Sequence, residues 1–171
     1  MRKILVAFYS RADENYFGGA MKYIETGNTE KVAKMIAEMT SADVFKIEQK
    51  KAYSADYMTC IEEAKQDLKA KARPELVSMP ASLDEYDEIY LGYPNYWGTM
   101  PMAVYTFLEA FDFSHKRIHP FCTHEGSGLS STENDIRKAA NGATVTQGLA
   151  ITGSTVDSAQ NKVRDWVKSF G

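Results

Sequence analysis

The stretch KILVAFY at residues 3–9 decides the fold, together with TGNTEKVAKMIAEM at residues 26–39. The first is a short, nearly continuous apolar run, which is typical of a strand buried on both faces of a parallel sheet. In the second, Val32, Met35, Ile36 and Met39 recur at helical spacing and predict one apolar stripe on a helix over residues 30–39. Strand, glycine-containing turn and helix in this order predict the opening of a βαβ unit.

The same alternation continues to the end of the chain. Further strands are predicted at residues 43–48, 88–93, 117–123 and 144–151, with helices over 55–72, after Pro101, over 130–140 and after Asp157. On the helix over 55–72, the face predicted to pack inward carries Tyr57, Ile61, Ala64 and Leu68. Five strands alternating with five helical segments predict an α/β fold, a five-stranded parallel sheet of order 2-1-3-4-5 covered on both faces. In such sheets ligands bind beyond the carboxyl ends of the strands, so the loops after strands one, three and four should share one site.

Composition narrows the class of protein. A chain of 171 residues, 44% hydrophobic and 25% charged, predicts a single domain over residues 1–171. A net charge of −3 argues against a nucleic-acid partner. Only Cys60 and Cys122 are present, without metal-ligand spacing, which favours a reducing compartment and no metal site. We found no run long and apolar enough for a signal peptide or membrane helix, so we expect a cytoplasmic protein without membrane contact, and favour a monomer.

The first loop offers an anion site. Its polar and glycine residues are Ser10 and Arg11 after the first strand, and Thr26, Gly27, Asn28 and Thr29 at the start of the first helix. Free amides and the positive end of a helix dipole attract anions. Neither a phosphate-loop lysine nor a GxGxxG pattern is present, so a single phosphate monoester fits better than a triphosphate or a dinucleotide. The alternative is that residues 26–29 only cap the helix.

The second loop, GYPNYWGTMP at residues 92–101, follows the third strand. Pro94 fixes a turn, Asn95 offers an amide, and the adjacent Tyr96 and Trp97 suit stacking on a flat ring system. The alternative is that Trp97 fills a small cluster beneath the loop.

The third loop, THEGSG at residues 123–128, follows the fourth strand. Its glycines allow the backbone to approach a planar ligand closely. His124 and Glu125 could form an acid–base pair, but neighbours at a strand end usually point in opposite directions, which favours solvated loop residues. Cys122 is expected in the core, and no catalytic residue is predicted.

Together, the Ser-Arg and Thr-Gly-Asn-Thr segments, the GYP-x-aromatic-Trp-Gly-x-x-P loop and PFCTHEGSG resemble the flavodoxins over nearly the whole chain. The resemblance implies a flavodoxin-like three-layer sandwich that binds FMN. It assigns the FMN phosphate to Ser10, Arg11, Thr26, Gly27, Asn28 and Thr29. It assigns contacts with the flavin ring to Pro94, Asn95, Tyr96, Trp97, Gly98, Thr123, His124, Glu125, Gly126, Ser127 and Gly128.

One segment departs from the short flavodoxin pattern. Residues 12–25 separate Arg11 from Thr26, whereas short flavodoxins run Ser-x-Thr-Gly-x-Thr without interruption. The insertion carries Tyr16, Phe17 and Tyr23, and its Gly18–Gly19 pair would let the backbone turn back. We expect it to pack beside the cofactor; a mobile surface loop or a partner surface are the alternatives.

The resemblance leaves two classes of function open, an electron carrier between a reductase and an acceptor protein, and an NAD(P)H-dependent quinone reductase. The missing dinucleotide fingerprint favours the carrier. Apolar and aromatic surroundings should make the anionic reduced flavin costly, which favours one-electron steps. A flavin-free interaction module is a third possibility, and the Trp97 loop argues against it.

Overall fold

The computed structural model describes residues 3–171, apart from the side chain of Phe17. The strands are β1 (Ile4–Phe8), β2 (Asp13–Phe17), β3 (Ala20–Ile24), β4 (Asp43–Lys46), β5 (Glu88–Pro94), β6 (Arg117–His124), β7 (Thr144–Val145) and β8 (Leu149–Thr152). The helices are α1 (Asn28–Thr40), α2 (Tyr57–Ala70), α3 (Met102–Glu109), α4 (Thr132–Ala139) and α5 (Gln160–Lys168), with a 3-10 helix at Gly153–Ser158 before α5.

The central sheet has the order β4-β1-β5-β6, with β7 and β8 both paired to the outer edge of β6. All of these pairs are parallel. The predicted strands one to five correspond to β1, β4, β5, β6 and the pair β7 and β8. In that numbering the order is 2-1-3-4-5, so the predicted flavodoxin-like topology is confirmed. The fifth strand, predicted as continuous over 144–151, is instead divided into β7 and β8.

A bulge divides the fifth strand. Between the pairs Ile118↔Val145 and Phe121↔Leu149, β6 has two residues and the outer segment has three. One of the two in β6 is Pro120, which has no N–H to donate. The Gly148 N–H turns away and donates to Glu133 Oε2 at 2.8 Å. The N–H group of Gly148 therefore forms its hydrogen bond with a side chain of α4 and not with β6.

Helices cover both faces of the sheet. On one face α1 and α5 pack over a core that includes Val6, Ile36 and Val163. On the other face α3 and α4 bury Leu91 and Phe107 among other residues. Burial on both faces explains why β1 and β5 are almost uninterrupted apolar runs in the sequence. Within the described residues, we find no helix that is long and apolar enough to cross a membrane.

The insertion forms an antiparallel hairpin of β2 and β3. Gly18 and Gly19 make its two-residue turn with φ of 62° and 93°, the positive values that a type I′ turn requires. At its base Glu14 Oε1 accepts a hydrogen bond from the Tyr57 N–H at 3.0 Å, which caps α2. At its tip a Cβ on Gly18 would lie 3.5 Å from Ser154 Cβ. The hairpin thus reaches from the start of α2 to the 3-10 helix.

Candidate functional site

A cleft of about 340 Å³ lies where the loops after β1, β5 and β6 meet α2 and the hairpin. The volume falls within the range of small-molecule sites. The predicted site residues that line it are Arg11, Asn28, Pro94, Asn95, Tyr96, Trp97, Gly98, Thr123, His124, Glu125 and Ser127. Six others belong to the same loops without lining the cleft, namely Ser10, Thr26, Gly27, Thr29, Gly126 and Gly128.

The first loop and the start of α1 lie at the cleft, which Arg11 and Asn28 line. Ser10 Oγ accepts a hydrogen bond from the Glu30 N–H at 3.0 Å. A Cβ on Gly27 would collide with Ser10 Oγ and lie 2.6 Å from the Arg11 carbonyl oxygen, so only glycine fits there. Among the described residues, no acceptor is found for the backbone N–H groups of Asn28 and Thr29. Free amides at a helix start are suited to an anion.

The second loop is a strained turn. Tyr96 and Thr99 exchange backbone hydrogen bonds of 2.8 and 3.1 Å around Trp97 and Gly98, whose φ values are 56° and 84°. This is a type I′ turn, and a bulky residue with positive φ costs on the order of 1–2 kcal/mol. Asn95 holds it in place, because its Oδ1 accepts from the Gly98 N–H at 2.9 Å. The hydrogen bonds of this turn therefore hold Trp97 in a backbone conformation that a bulky residue rarely adopts by itself.

The Trp97 side chain lies against α2 without being buried. Its indole N–H donates to the Ile61 carbonyl at 2.8 Å, and Lys65 Nζ lies 5.4 Å from the ring centroid. Half of the side chain, 50%, remains exposed. The alternative, that Trp97 fills a small cluster beneath the loop, is therefore wrong. Much of its ring surface is free to contact a ligand.

Helix α2 supplies a wall that the sequence analysis did not assign to the site. Tyr57, Cys60, Ile61 and Ala64 line the cleft at spacing i, i+3, i+4 and i+7. Three of them, Tyr57, Ile61 and Ala64, were expected to pack into the core; Ala64 is buried as expected, whereas Tyr57 and Ile61 are only partly buried and border the cleft. Periodicity shows that a helix has an apolar face, but not what the face will meet.

The hairpin and the start of the 3-10 helix add further residues to the cleft, Asn15, Tyr16 and Gly153. The Tyr16 ring stacks on Tyr57, with centroids 6.5 Å apart and planes at 25°. The aromatic character of the insertion was the signal that pointed to Tyr16, whereas the Phe17 side chain lies outside the described residues. A Cβ on Gly153 would lie 2.5 Å from Asn28 Nδ2, so this glycine permits close contact between the start of the 3-10 helix and α1.

Both ionisable side chains of the third loop, those of His124 and Glu125, line the cleft. From the loop sequence alone, they were expected to be solvated. His124 Nδ1 accepts from the Gly126 N–H at 2.9 Å, which leaves the ring hydrogen on Nε2. Burial lowers the pKa of His124, so it is neutral near pH 7. Glu125 Oε2 accepts from Ser154 Oγ at 3.4 Å. Cys122 is buried as expected, and burial raises the pKa of its thiol to about 12.

Four buried side-chain atoms of the described residues have no hydrogen-bond partner, and all four belong to residues that line this cleft. They are Arg11 Nε, Asn28 Oδ1, Tyr96 Oη and Glu125 Oε1. Each such atom costs about 1–3 kcal/mol, and native proteins keep few of them without a reason. Their concentration in one place indicates a site for a ligand that carries both hydrogen-bond donors and acceptors.

Solved structures resemble the chain over nearly its full length. A flavoprotein from Bacteroides uniformis is 29% identical, with 98% of each chain covered and a TM-score of 0.77. A flavoprotein from Lactobacillus acidophilus, in complex with FMN, is 21% identical over 92% of this chain and 98% of its own, with a TM-score of 0.65. A Fusobacterium nucleatum flavodoxin bound to flavin mononucleotide is 12% identical over 99% and 97%, with a TM-score of 0.59.

No curated protein sequence matches the chain. The model of the flavodoxin family, however, matches residues 20–170. This match includes the start of α1, the second and third loops, and α5. The chain therefore belongs to the flavodoxin family.

Proposed function

We propose that this protein binds one FMN in the cleft and uses it to carry electrons between redox partner proteins in the cytoplasm. The observation that supports the proposal most strongly is the set of four unpartnered polar atoms, gathered at the carboxyl ends of the strands. In sheets of this order, ligands bind at that edge.

FMN has chemical partners for each of these groups. Its phosphate suits the free amides of Asn28 and Thr29. Its ribityl hydroxyls and ring N–H are donors for the acceptor atoms of Asn28 and Glu125. Its phosphate oxygens are acceptors for Arg11 Nε–H, in line with the role that the resemblance gives this residue, and its ring carbonyl oxygens are acceptors for the Tyr96 hydroxyl. Burial keeps the pKa of Tyr96 well above 10.0, so that hydroxyl holds its proton.

The flat ring also has aromatic walls to contact. Tyr16 and Tyr57 form a stacked pair on one side of the cleft, and Trp97 presents its half-exposed ring from the second loop. Stacking on such side chains binds a planar ligand and excludes water from it. When bound, FMN accepts and releases electrons itself, so the protein needs no catalytic side chain.

The purified protein tests the proposal. We expect it to be yellow, or to take up one FMN per chain, and to reduce a one-electron acceptor such as cytochrome c after reduction by dithionite. With NAD(P)H alone it should turn over slowly or not at all. Sustained NAD(P)H oxidation in the presence of a quinone would establish the reductase instead. A colourless protein that does not bind added FMN would contradict both functions.

A further inference from the structure

The side-chain amide of Asn95 joins the second loop to the third. Its Nδ2 group donates to the Gly128 carbonyl at 2.9 Å and to Ser130 Oγ at 3.0 Å, in the segment that leads from the third loop into α4. Its Oδ1 accepts from the Gly98 N–H at 2.9 Å, within the second loop. A side-chain amide has two hydrogens to donate, so the protein itself occupies the donors of Asn95.

The backbone of Asn95 is fixed by the sheet. Its N–H donates to the Thr123 carbonyl at 2.9 Å, directly after the last residue pair of β5 with β6, Pro94↔Thr123. The type I′ turn around Trp97 begins at the next residue. Asn95 is thus held in place on one side by the sheet and on the other by the end of the third loop, immediately before the strained turn.

The turn depends on Asn95 because Trp97 adopts a φ of 56°. A positive φ in a bulky residue costs about as much free energy as one hydrogen bond contributes. The bond from the Gly98 N–H to Asn95 Oδ1 therefore offsets the strain of the turn. Without this bond, Trp97 relaxes to a negative φ, and its indole moves away from the Ile61 carbonyl that it contacts.

We propose that Asn95 is a positioning residue for the FMN ring, which holds the indole of Trp97 in place instead of contacting the ring itself. This inference rests on the proposed binding of FMN in the cleft. Asn95 lines the cleft, so it lies close enough for either role. To donate to a ring carbonyl, however, its amide would have to give up Gly128 or Ser130. Its contribution to FMN binding therefore passes through Trp97.

The consequence is an aromatic wall that is already in place before the ligand binds. A side chain that is fixed in the apoprotein loses little conformational freedom on binding, so more of its contact energy appears as affinity. Removal of the Asn95 side chain should therefore weaken FMN binding through the loss of this order. The effect should vanish when Trp97 itself is absent.

The wild-type apoprotein gives the first test. Because its N–H is bonded to Asn95, Gly98 should exchange its amide hydrogen at least about tenfold more slowly than an unstructured glycine. NMR on 15N-labelled protein measures this rate. Exchange at the unstructured rate would overturn the inference, since the bond that it requires would not persist in solution. The measurement needs neither FMN nor a variant that folds.

Tryptophan fluorescence then reports the position of Trp97 in the variant Asn95→Ala. The substitution Trp166→Phe is made first, so that Trp97 is the one tryptophan left in the chain. In the apoprotein, Asn95→Ala should shift the emission to longer wavelength and make acrylamide quenching more efficient, because the indole moves from α2 into solvent. Unchanged emission and quenching would overturn the inference. Asn161→Ala is the matched control, since it removes an exposed amide that bonds to Arg164 on α5, and it should change neither.

FMN titrations separate positioning from direct contact. Asn95→Ala should lower FMN affinity about tenfold. In a Trp97→Ala background, the same substitution should change the affinity by less than about twofold, because no indole remains to be positioned. Wild-type affinity in Asn95→Ala, or losses that multiply in the double variant, would overturn this inference and leave the proposed function intact. Failure of the wild-type protein to bind FMN would instead remove the proposed function, whereas Gly98 exchange and Trp97 fluorescence would still decide whether Asn95 holds the turn.

Discussion

Replacement of Trp97 by alanine separates ligand binding from folding, because its side chain is tied to the protein by few contacts. The side chain is 50% exposed, and its indole N–H makes one hydrogen bond, to the Ile61 carbonyl. If a tryptophan contributes roughly 200 Å² of contact area, then roughly 100 Å² remains for a ligand to cover. At about 25 cal/mol per Å², full coverage would contribute about 2.5 kcal/mol to binding.

We therefore expect Trp97→Ala to weaken FMN binding by about 2 kcal/mol, roughly 30-fold. The apoprotein loses one hydrogen bond, which contributes about 1 kcal/mol. For a chain of this size, that change lowers the melting temperature by about 3 °C. Trp97→Phe keeps an aromatic face and should retain most of the affinity, with the same small loss of stability.

Quenching of FMN fluorescence on binding gives the affinity, and thermal unfolding of the apoprotein gives the stability. Trp166→Phe is the matched control. It removes the other tryptophan N–H bond of the chain, 3.1 Å to the Gln147 carbonyl, and should leave FMN affinity unchanged. The reasoning is refuted if Trp97→Ala binds FMN like the wild type, or if its apoprotein melts more than about 8 °C lower, as expected for a core residue.

Four further outcomes are expected. FMN should bind more tightly than riboflavin or FAD in parallel titrations, because the free amides of α1 suit a terminal phosphate; equal affinity for riboflavin would contradict the phosphate site. Deletion of residues 12–25, with Arg11 joined to Thr26, should leave the sheet folded by circular dichroism but weaken FMN binding and admit solvent quenchers; unchanged affinity and quenching would make the hairpin a bystander or a partner surface. Tyr96→Phe removes a buried hydroxyl that has no partner, so the apoprotein should melt at the same or a higher temperature while FMN affinity falls by about 1 kcal/mol; a destabilised apoprotein would mean that the hydroxyl is already satisfied. Because burial lowers the pKa of His124 below its usual 6.5, the unfolded chain takes up this proton more readily, so stability should fall as the pH drops through about 6.5; denaturant unfolding of His124→Gln should lack this part of the pH dependence, and an identical slope would count against it.

The order of the sheet and the position of the loops could be derived from sequence, because both follow from local patterns. The runs at β1 and β5 are apolar throughout, since both faces of these strands are buried, and Val32 and Ile36 mark the buried side of α1. Because these strands run parallel, the loops after β1, β5 and β6 then lie at one edge of the sheet. Motif resemblance supplied the family.

The break in the fifth strand and the role of α2 could not be derived in this way. The bulge depends on Pro120 in one strand and on Glu133, which accepts the Gly148 N–H from another element. The apolar stripe of α2 has the same spacing whether it meets the core or a cleft. Only the hairpin, which caps α2 through Glu14 and stacks Tyr16 on Tyr57, decides that this stripe borders the site.

The sequence by itself determined the α/β topology, the three loops and the aromatic character of the insertion. Tertiary structure alone decided that Arg11 bonds to the carbonyls before α2, and that Glu125 leaves one carboxylate oxygen buried without a partner. The reason is physical. Strand and helix patterns record local burial, whereas the partner of a long polar side chain depends on which distant backbone groups the fold brings within about 3 Å of it.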